Sequence, residues 1–129
     1  MITDSELYQK AKGVLNPRKL SSSADAGGVA SALVTVTGNI YTGVCIDTSS
    51  SMGFCAEHNA IGSMITSGES RITTIVAVNW DGQILPPCGR CREFIYQMHS
   101  DNSSTRVLLK DDQVSTIADL LPHHWTQTT

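Results

Sequence analysis

Apolar positions along the chain follow two kinds of spacing. Helical spacing comes after Thr3, which opens a Thr-x-x-Glu capping pattern, and predicts a first helix of about a dozen residues ending near Pro17. An apolar, partly β-branched stretch at 29–36, a strand-like stretch at 40–46 and a continuous β-branched stretch at 72–78 predict strands, and the turn residues between the first two make them a hairpin. Ser- and Gly-rich segments at 21–28 and 47–53 predict loops.

Two more helices are predicted to begin at cysteines. One covers 55–66, and the other covers 88–99, directly after the chain-breaking pair Pro86-Pro87. A strand at 106–110 and a short helix at 117–121 complete the order α-β-β-α-β-α-β-α. With no internal repeat and no linker, this order predicts one α/β domain spanning residues 1–129, with helices covering a mostly β interior.

Composition narrows the range of partners. The chain has 129 residues, of which 40% are apolar, and a formal net charge of −3, which disfavours binding to a nucleic acid polymer. No apolar run reaches the length of about 18 residues that a membrane span requires. The first residues lack the charged and apolar regions of a signal peptide, so we expect a cytoplasmic protein.

Four residues carry the candidate chemistry. Cys55, Cys88 and Cys91 offer three thiolates to a metal, and Glu57 lies two residues beyond the first of them. Three protein ligands leave a tetrahedral zinc ion with one open position for water, which distinguishes a catalytic site from a structural one. Both cysteine segments begin helices, whose N-terminal partial charge stabilises thiolates. Glu57 is then the candidate proton carrier, and the sequence predicts a zinc-dependent hydrolytic deaminase.

Other assignments of these side chains stay open. Cys45 could be a fourth ligand that closes the zinc site, although a small buried side chain is the commoner role of a free cysteine. His58 could bind the metal or a neighbouring backbone group instead. Arg90 or Arg92 could donate hydrogen bonds to the cysteine sulfurs or be ordinary surface charges.

The Cys-Ala-Glu and Pro-Cys-Gly-Arg-Cys motifs resemble those of the cytidine deaminase family. Within that family the chain is most similar to fungal blasticidin-S deaminases, from about Val29 to Trp125. The resemblance implies a three-layer α/β/α fold with a mixed sheet, one zinc ion per subunit, a small-molecule substrate and a homotetramer whose active sites borrow residues from neighbours. It implies substrate contacts at the following positions: Ser31, Cys45, Asp47, Ala56, Pro87 and Trp125.

The chain departs from the family pattern where the family binds the nucleoside. Gly27 stands where many relatives carry an aromatic residue that stacks on the pyrimidine. Cys45 and Asp47 replace an Asn that binds ribose and a Glu two residues later, and His58 replaces an Arg. We therefore expect deamination of cytidine, deoxycytidine or a blasticidin-S-like analogue. The alternatives are deamination of another aminated heterocycle and a non-catalytic zinc-stabilised module.

Overall fold

The computed structural model describes residues 1–126. Its helices are α1 Asp4–Lys12, α2 Ala56–Thr66, α3 Gly89–Met98 and α4 Ile117–Leu120. Its strands are β1 Arg18–Ser21, β2 Ala24–Thr35, β3 Ile40–Thr48, β4 Ile72–Asn79, β5 Ile84–Leu85, β6 Arg106–Leu108 and β7 Val114–Thr116. Short 3₁₀ turns lie at Ser49–Ser51 and Ser100–Ser104.

The strands form one mixed sheet centred on β2 and β4. Strand β2 is antiparallel to β1, β3 and β4, while β4 is antiparallel to β5 and parallel to β6. Strand β7 returns antiparallel to β6. The predicted hairpin of β2 and β3 is confirmed, with Ala30 opposite Val44 and Val34 opposite Ile40.

Alternating side chains send the apolar residues of the central strands to both faces of the sheet. Ala32 and Val34 of β2 pack with Leu7 and Ala11 of α1 on one face. Leu33, between them in sequence, packs on the other face with residues of α2, α3 and α4. The sheet is therefore covered by α1 on one side and by the other helices on the opposite side, which confirms the predicted three-layer α/β/α fold.

Helix α1 begins as the sequence predicts and ends earlier. The Thr3 side chain accepts a hydrogen bond from the Glu6 backbone N–H, and the Glu6 carboxylate accepts one from the Thr3 backbone N–H. This is the predicted capping box. The helix ends at Lys12, and none of the helices within residues 1–126 is long and apolar enough to span a bilayer.

The predicted loop at 21–28 is wrong for most of its length. Strand β2 starts at Ala24, and β1 pairs with its first residues, so this segment is largely part of the sheet. Gly27 interrupts the pairing with a φ of +85°, and a Cβ there would lie 2.0 Å from the carbonyl oxygen of Asn16. The close approach of the Asn16 backbone therefore requires glycine at position 27. This glycine is part of the reason why the sequence of the segment predicts a loop.

Candidate active site

The start of α2 is fixed by contacts with β3. Phe54 forms an isolated antiparallel bridge with Ile46, with N–O distances of 2.9 and 3.1 Å. Gly43 of β3 has no room for a side chain, because a Cβ there would lie 2.4 Å from the backbone nitrogen of Ala60. The helix therefore packs directly on the strand, and Cys55 is held at its N-cap position.

A matching helix start carries the other two sulfurs. Cys88 is the N-cap of α3, and its φ and ψ of −67° and 166° nearly equal the −68° and 158° of Cys55. Neither N-cap cysteine makes a side-chain capping hydrogen bond, so both sulfurs can face the site between the helices. Cys91 lies in the first turn of α3 and is fully buried.

The three sulfurs lie close together. The Sγ atom of Cys88 is 3.7 Å from that of Cys55 and 3.4 Å from that of Cys91. Tetrahedral zinc with bonds of about 2.3 Å places two sulfur ligands about 3.8 Å apart. The spacing of the thiols therefore fits one zinc ion bound by Cys55, Cys88 and Cys91.

The electrostatics of the site also favour a cation. Burial raises the pKa of the Cys91 thiol, and the negative charge of Glu57 raises it further. Burial likewise raises the pKa of the Cys55 thiol. Burial works in the same direction at Cys88, but hydrogen bonds, the largest with the Cys91 backbone, leave its pKa below the usual value. A bound divalent cation would lower the pKa values of these thiols, because a thiol that coordinates a metal ion is deprotonated.

Glu57 is the buried carboxyl group of the site. It lies in the first turn of α2, and 5% of its surface is exposed. Burial raises the pKa of this carboxyl group, while hydrogen bonds with its own backbone and with Cys91 act in the opposite direction. Glu57 therefore lies beside the sulfurs in an environment that favours holding a proton.

His58 contacts the sulfur cluster from the other side of Cys91. Its Nδ1 atom is 3.3 Å from the Cys91 sulfur, and its ring stacks on Phe94 with centroids 4.1 Å apart. Ligand atoms of Cys55, His58 and Cys91 all lie within 4.8 Å of one another, so these three residues form a second possible ligand set. Burial and the nearby Arg90 lower the pKa of His58.

A cavity of about 580 Å³ lies next to the starts of α2 and α3. Glu57, Cys55 and Cys88 line it together with apolar side chains of three strands, which are Val29, Ala77 and Leu85. Among the residues expected to bind substrate, Cys45, Asp47 and Ala56 line this cavity. Arg90 also lines it, and both Arg90 and Asp47 are exposed, so charges of both signs lie at the cavity wall.

The other expected substrate contacts lie elsewhere. Ser31 is fully buried, and its hydroxyl donates a 2.8 Å hydrogen bond to the Val76 carbonyl. Pro87 is buried beside Glu57 in a much smaller pocket behind the cavity. Trp125 is 78% exposed, and its backbone N–H donates to Glu93. Each of the three lies outside the set of residues that lines the cavity.

The sequence left the roles of Cys45 and Arg92 open, and the structure gives the contacts of both. Cys45 accepts a hydrogen bond from the Val29 backbone N–H at 3.3 Å and lies 3.8 Å from an oxygen of Asp47, in the cavity wall. Arg92 donates to the carbonyl oxygens of Pro87 and Leu120. No sequence signal could reveal the contacts of Arg92, because its two acceptors are backbone atoms from separate parts of the chain.

Comparison with known proteins identifies the family. Residues 1–105 match the family model described as the cytidine and deoxycytidylate deaminase zinc-binding region. The chain belongs to the cytidine and deoxycytidylate deaminase family. It is 32% identical to a blasticidin-S deaminase of Bacillus cereus over 108 residues, or 77% of each chain. It is 30% identical to a cytidine deaminase of Mycobacterium tuberculosis over 97 residues, or 73% of this chain and 69% of that one.

The fold agrees with solved deaminase structures. A cytidine deaminase from Mycobacterium leprae superposes with a TM-score of 0.80 and 26% identity, covering 95% of this chain and 100% of that one. The family resemblance predicted from the cysteine motifs is thus confirmed, as is the expected fold. This deaminase is a zinc-dependent hydrolytic enzyme, and its clustered cysteine and histidine side chains fit one metal ion.

Proposed function

We propose that this deaminase converts an amino-substituted pyrimidine nucleoside, cytidine, deoxycytidine or a blasticidin-S-like analogue, to the keto product and ammonia. In this proposal Cys55, Cys88 and Cys91 hold the zinc ion, and Glu57 moves the protons. The observation that carries the assignment is the buried Glu57 carboxyl group beside sulfurs that lie 3.4 and 3.7 Å apart, at the starts of two helices.

Glu57 performs the proton transfers. When bound, the zinc ion supplies the Lewis acidity that makes a water molecule easier to deprotonate. A Glu57 Oε atom would accept that proton and deliver it to the ring nitrogen as the water oxygen bonds to the amino-bearing carbon. A second transfer would move the remaining proton of the water to the amino group, whose bond to that carbon breaks as ammonia leaves. Burial of Glu57 suits this role, because a carboxyl group with a raised pKa can hold the proton between the two transfers. The substrate gains the water oxygen and loses the amino nitrogen.

We assign the third zinc ligand to Cys88 rather than to His58. Cys88 lies close to both other sulfurs, at distances that match the edges of a zinc tetrahedron. The His58 ring is stacked on Phe94 with its Nδ1 atom towards the Cys91 sulfur, which suits a hydrogen-bond partner of that ligand. Cys88→Ser should therefore abolish tight zinc binding, whereas His58→Ala should weaken it while retaining one zinc ion per chain.

The proposed substrate range rests on the relatives and on the cavity walls. The relatives are named as cytidine and blasticidin-S deaminases. Position 27 leaves no room for an aromatic ring, because a Cβ there would meet the Asn16 carbonyl. The apolar side chains of Val29, Ala77 and Leu85 are available to contact a flat heterocycle instead. The Asp47 carboxylate can accept a hydrogen bond from a hydroxyl group of the substrate, at the position where many relatives carry a Glu.

Domain extent, assembly and compartment complete the proposal. We propose that residues 1–129 act as one cytoplasmic deaminase domain that assembles as a homotetramer and acts on small molecules. The exposed indole of Trp125 supports contact with another subunit, because a large aromatic side chain with 78% of its surface exposed is available to a partner. Ser31 and Pro87 would affect substrate binding indirectly, by supporting the residues that line the cavity.

The test is ammonia release from a panel of candidate substrates by the purified, zinc-loaded protein. The panel contains cytidine, deoxycytidine, cytosine, blasticidin S and several aminopurines. Ammonia release from cytidine, deoxycytidine or blasticidin S supports the proposal. Release from cytosine or an aminopurine alone would show that the substrate is another heterocycle. A zinc-loaded protein that releases no ammonia from any of them would contradict the proposed substrate class.

A paired substitution distinguishes an enzyme from a zinc-stabilised module. Glu57→Gln should lower kcat by at least about 10²-fold while the protein keeps its zinc, because a proton carrier of this kind contributes about 10²–10⁴-fold in rate. Glu69→Gln is the matched control, since it makes the same change after the far end of α2. Equal activity of both variants would refute the role assigned to Glu57.

A further inference from the structure

Helix α3 contacts residues 124 and 125 and also carries Cys91 and its N-cap Cys88. Glu93 accepts a 2.9 Å hydrogen bond from the Trp125 backbone N–H. One turn along, the Tyr96 ring stacks on His124 with centroids 4.1 Å apart. Arg92 belongs to the same helix and reaches both the end of α4 and the segment that carries Cys88.

The first contact of Arg92 fixes the segment before Cys88. Its Nε atom donates a 2.8 Å hydrogen bond to the carbonyl oxygen of Pro87. Pro87 is buried, and its carbonyl group precedes the N-cap of α3, so it has no partner in the helix itself. A buried carbonyl group without a partner is unfavourable, so this contact is more than an incidental surface bond.

Peptide geometry carries this contact to the sulfur. The carbonyl oxygen of Pro87 and the backbone nitrogen of Cys88 belong to one planar peptide group. Holding the oxygen therefore limits the rotation of the plane that leads into Cys88. Cys88 follows this plane directly, so the orientation of the plane is important for where its sulfur points.

The second contact anchors the guanidinium group itself. Arg92 Nη1 donates a 3.1 Å hydrogen bond to the carbonyl oxygen of Leu120, the last residue of α4. The final carbonyl groups of a helix lack intrahelical partners, so Leu120 is a ready acceptor. The two acceptors, 33 residues apart in sequence at positions 87 and 120, are bridged by one rigid planar group.

We infer that Arg92 is a positioning residue that orients the zinc ligand Cys88 through the Pro87 carbonyl group. This inference rests on the proposed zinc site, in which Cys88 is a ligand. It concerns a residue outside the cavity lining, and it assigns to the Arg92 side chain a role in holding the metal rather than in contacting substrate.

The test compares zinc retention in Arg92→Met, Arg92→Lys and the unsubstituted protein. Methionine keeps most of the aliphatic packing and removes both donors, so zinc affinity measured against a chromogenic chelator should weaken about 10–100-fold. Lysine keeps the charge but has no rigid fork, so Arg92→Lys should fall between the two. Ethylguanidine added to Arg92→Ala, which leaves space for it, should slow zinc release, which a general loss of stability would not show. In turnover, kcat should fall more than KM rises.

Arg106→Ala is the matched control. Arg106 pairs with Asp4 at 2.8 Å on the opposite side of the sheet, and 45% of its side chain is exposed. This variant loses an arginine of the same charge but should release zinc at the unsubstituted rate. If Arg92→Met does not fold, Arg92→Lys decides, and zinc affinity equal to that of the unsubstituted protein would overturn the inference.

The two proposals fail in different ways. Unsubstituted protein that binds no zinc, or that releases no ammonia from the panel, would contradict the proposed function. Unsubstituted protein that binds zinc and is active, beside an Arg92→Met variant with unchanged zinc affinity, would refute only the role of Arg92.

Discussion

Two buried polar regions of this deaminase are built in opposite ways. Asn102 is fully buried, and its Oδ1 atom accepts a 2.9 Å hydrogen bond from the Ile72 backbone N–H. Its Nδ2 atom donates to the carbonyl oxygens of Ser70 and Ile95 at 3.0 and 2.9 Å. Glu57 is almost as deeply buried, but burial raises its pKa, and its charge raises the pKa of the Cys91 thiol.

The contrast separates polar groups that stabilise the fold from those kept for chemistry. The Asn102 amide satisfies three backbone groups that would otherwise be buried without partners. Around Glu57, acidic groups lie close together in a poorly solvated site, which is unfavourable until a cation binds. The sulfur cluster should therefore gain stability from zinc, whereas the Asn102 network should be independent of it.

Zinc removal should produce the largest loss of activity and stability, because it removes the cation that stabilises the sulfur site. Dialysis against a chelator is expected to abolish ammonia release. It should also lower the free energy of unfolding by about 4 kcal/mol relative to protein with free zinc at a thousand times its dissociation constant. Denaturant titrations of the two forms measure this difference. Equal stability of both forms would contradict a zinc ion bound specifically to the folded state.

Asn102→Ala should destabilise the fold more than a substitution at either Glu57 or Glu69. Removing the amide leaves the Ile72 N–H and the Ser70 and Ile95 carbonyl oxygens without this partner. The expected loss is about 2–4 kcal/mol in the free energy of unfolding, measured by denaturant titration. The kcat of the folded fraction should be unchanged, and a loss below about 1 kcal/mol would show that water replaces the amide.

Glu57→Gln should change stability in the other direction. Glutamine keeps the size of the side chain but cannot carry the charge that burial disfavours, so where Glu57 is ionised the zinc-free variant should gain up to about 1 kcal/mol in the free energy of unfolding. Thermal and denaturant unfolding of the zinc-free proteins would measure it. Destabilisation comparable to that of Asn102→Ala would remove the contrast between the two regions.

Glu69 provides the smallest and most pH-dependent effect. Its carboxylate accepts hydrogen bonds from Thr37, Asn39 and Tyr41, which tie the β2–β3 turn to the end of α2. Hydrogen bonding, with Thr37 the largest contributor, lowers the pKa of Glu69 from 4.5 to about 2. A lowered pKa in the folded state adds stability above the unfolded-state pKa, and this stability is lost as pH falls through the folded-state pKa.

Glu69→Gln should therefore lower the unfolding midpoint at neutral pH by less than Asn102→Ala does. The difference from the unsubstituted protein should shrink as pH falls from 4.5 towards 2. Thermal unfolding across this range is the measurement. A difference that does not depend on pH would show that the glutamate acts through packing rather than through its charge.

The sequence predicts the elements whose signals are local. The capping box at Thr3, the hairpin of β2 and β3 and the cysteine-headed helices all depend on residues within a few positions of one another. The zinc-dependent deaminase chemistry could also be predicted, because Cys55, Cys88 and Cys91, the proposed ligands, lie in two short motifs. These parts of the fold needed no knowledge of distant contacts.

Tertiary contacts decide the elements that the sequence did not predict. Strand β1 is exposed at all four residues and polar at three, so it has no apolar alternation to reveal it. Strand β5 is only two residues long, at Ile84–Leu85. Asn102 lies in a polar stretch without apolar periodicity, yet it is buried and hydrogen-bonded to two other segments, residues 70–72 and α3. Trp125 was expected near a cavity, and its place in an assembly stays a prediction.

The origin of the cavity walls has an evolutionary consequence. The sulfurs and the proposed proton carrier come from the N-caps and first turns of α2 and α3, whereas Val29, Asp47 and Leu85 come from strands and their ends. Mutations can therefore reshape the strand side while leaving the helix starts untouched. A lineage with this architecture can acquire a new substrate by drift in one set of segments and inherit its reaction through the other.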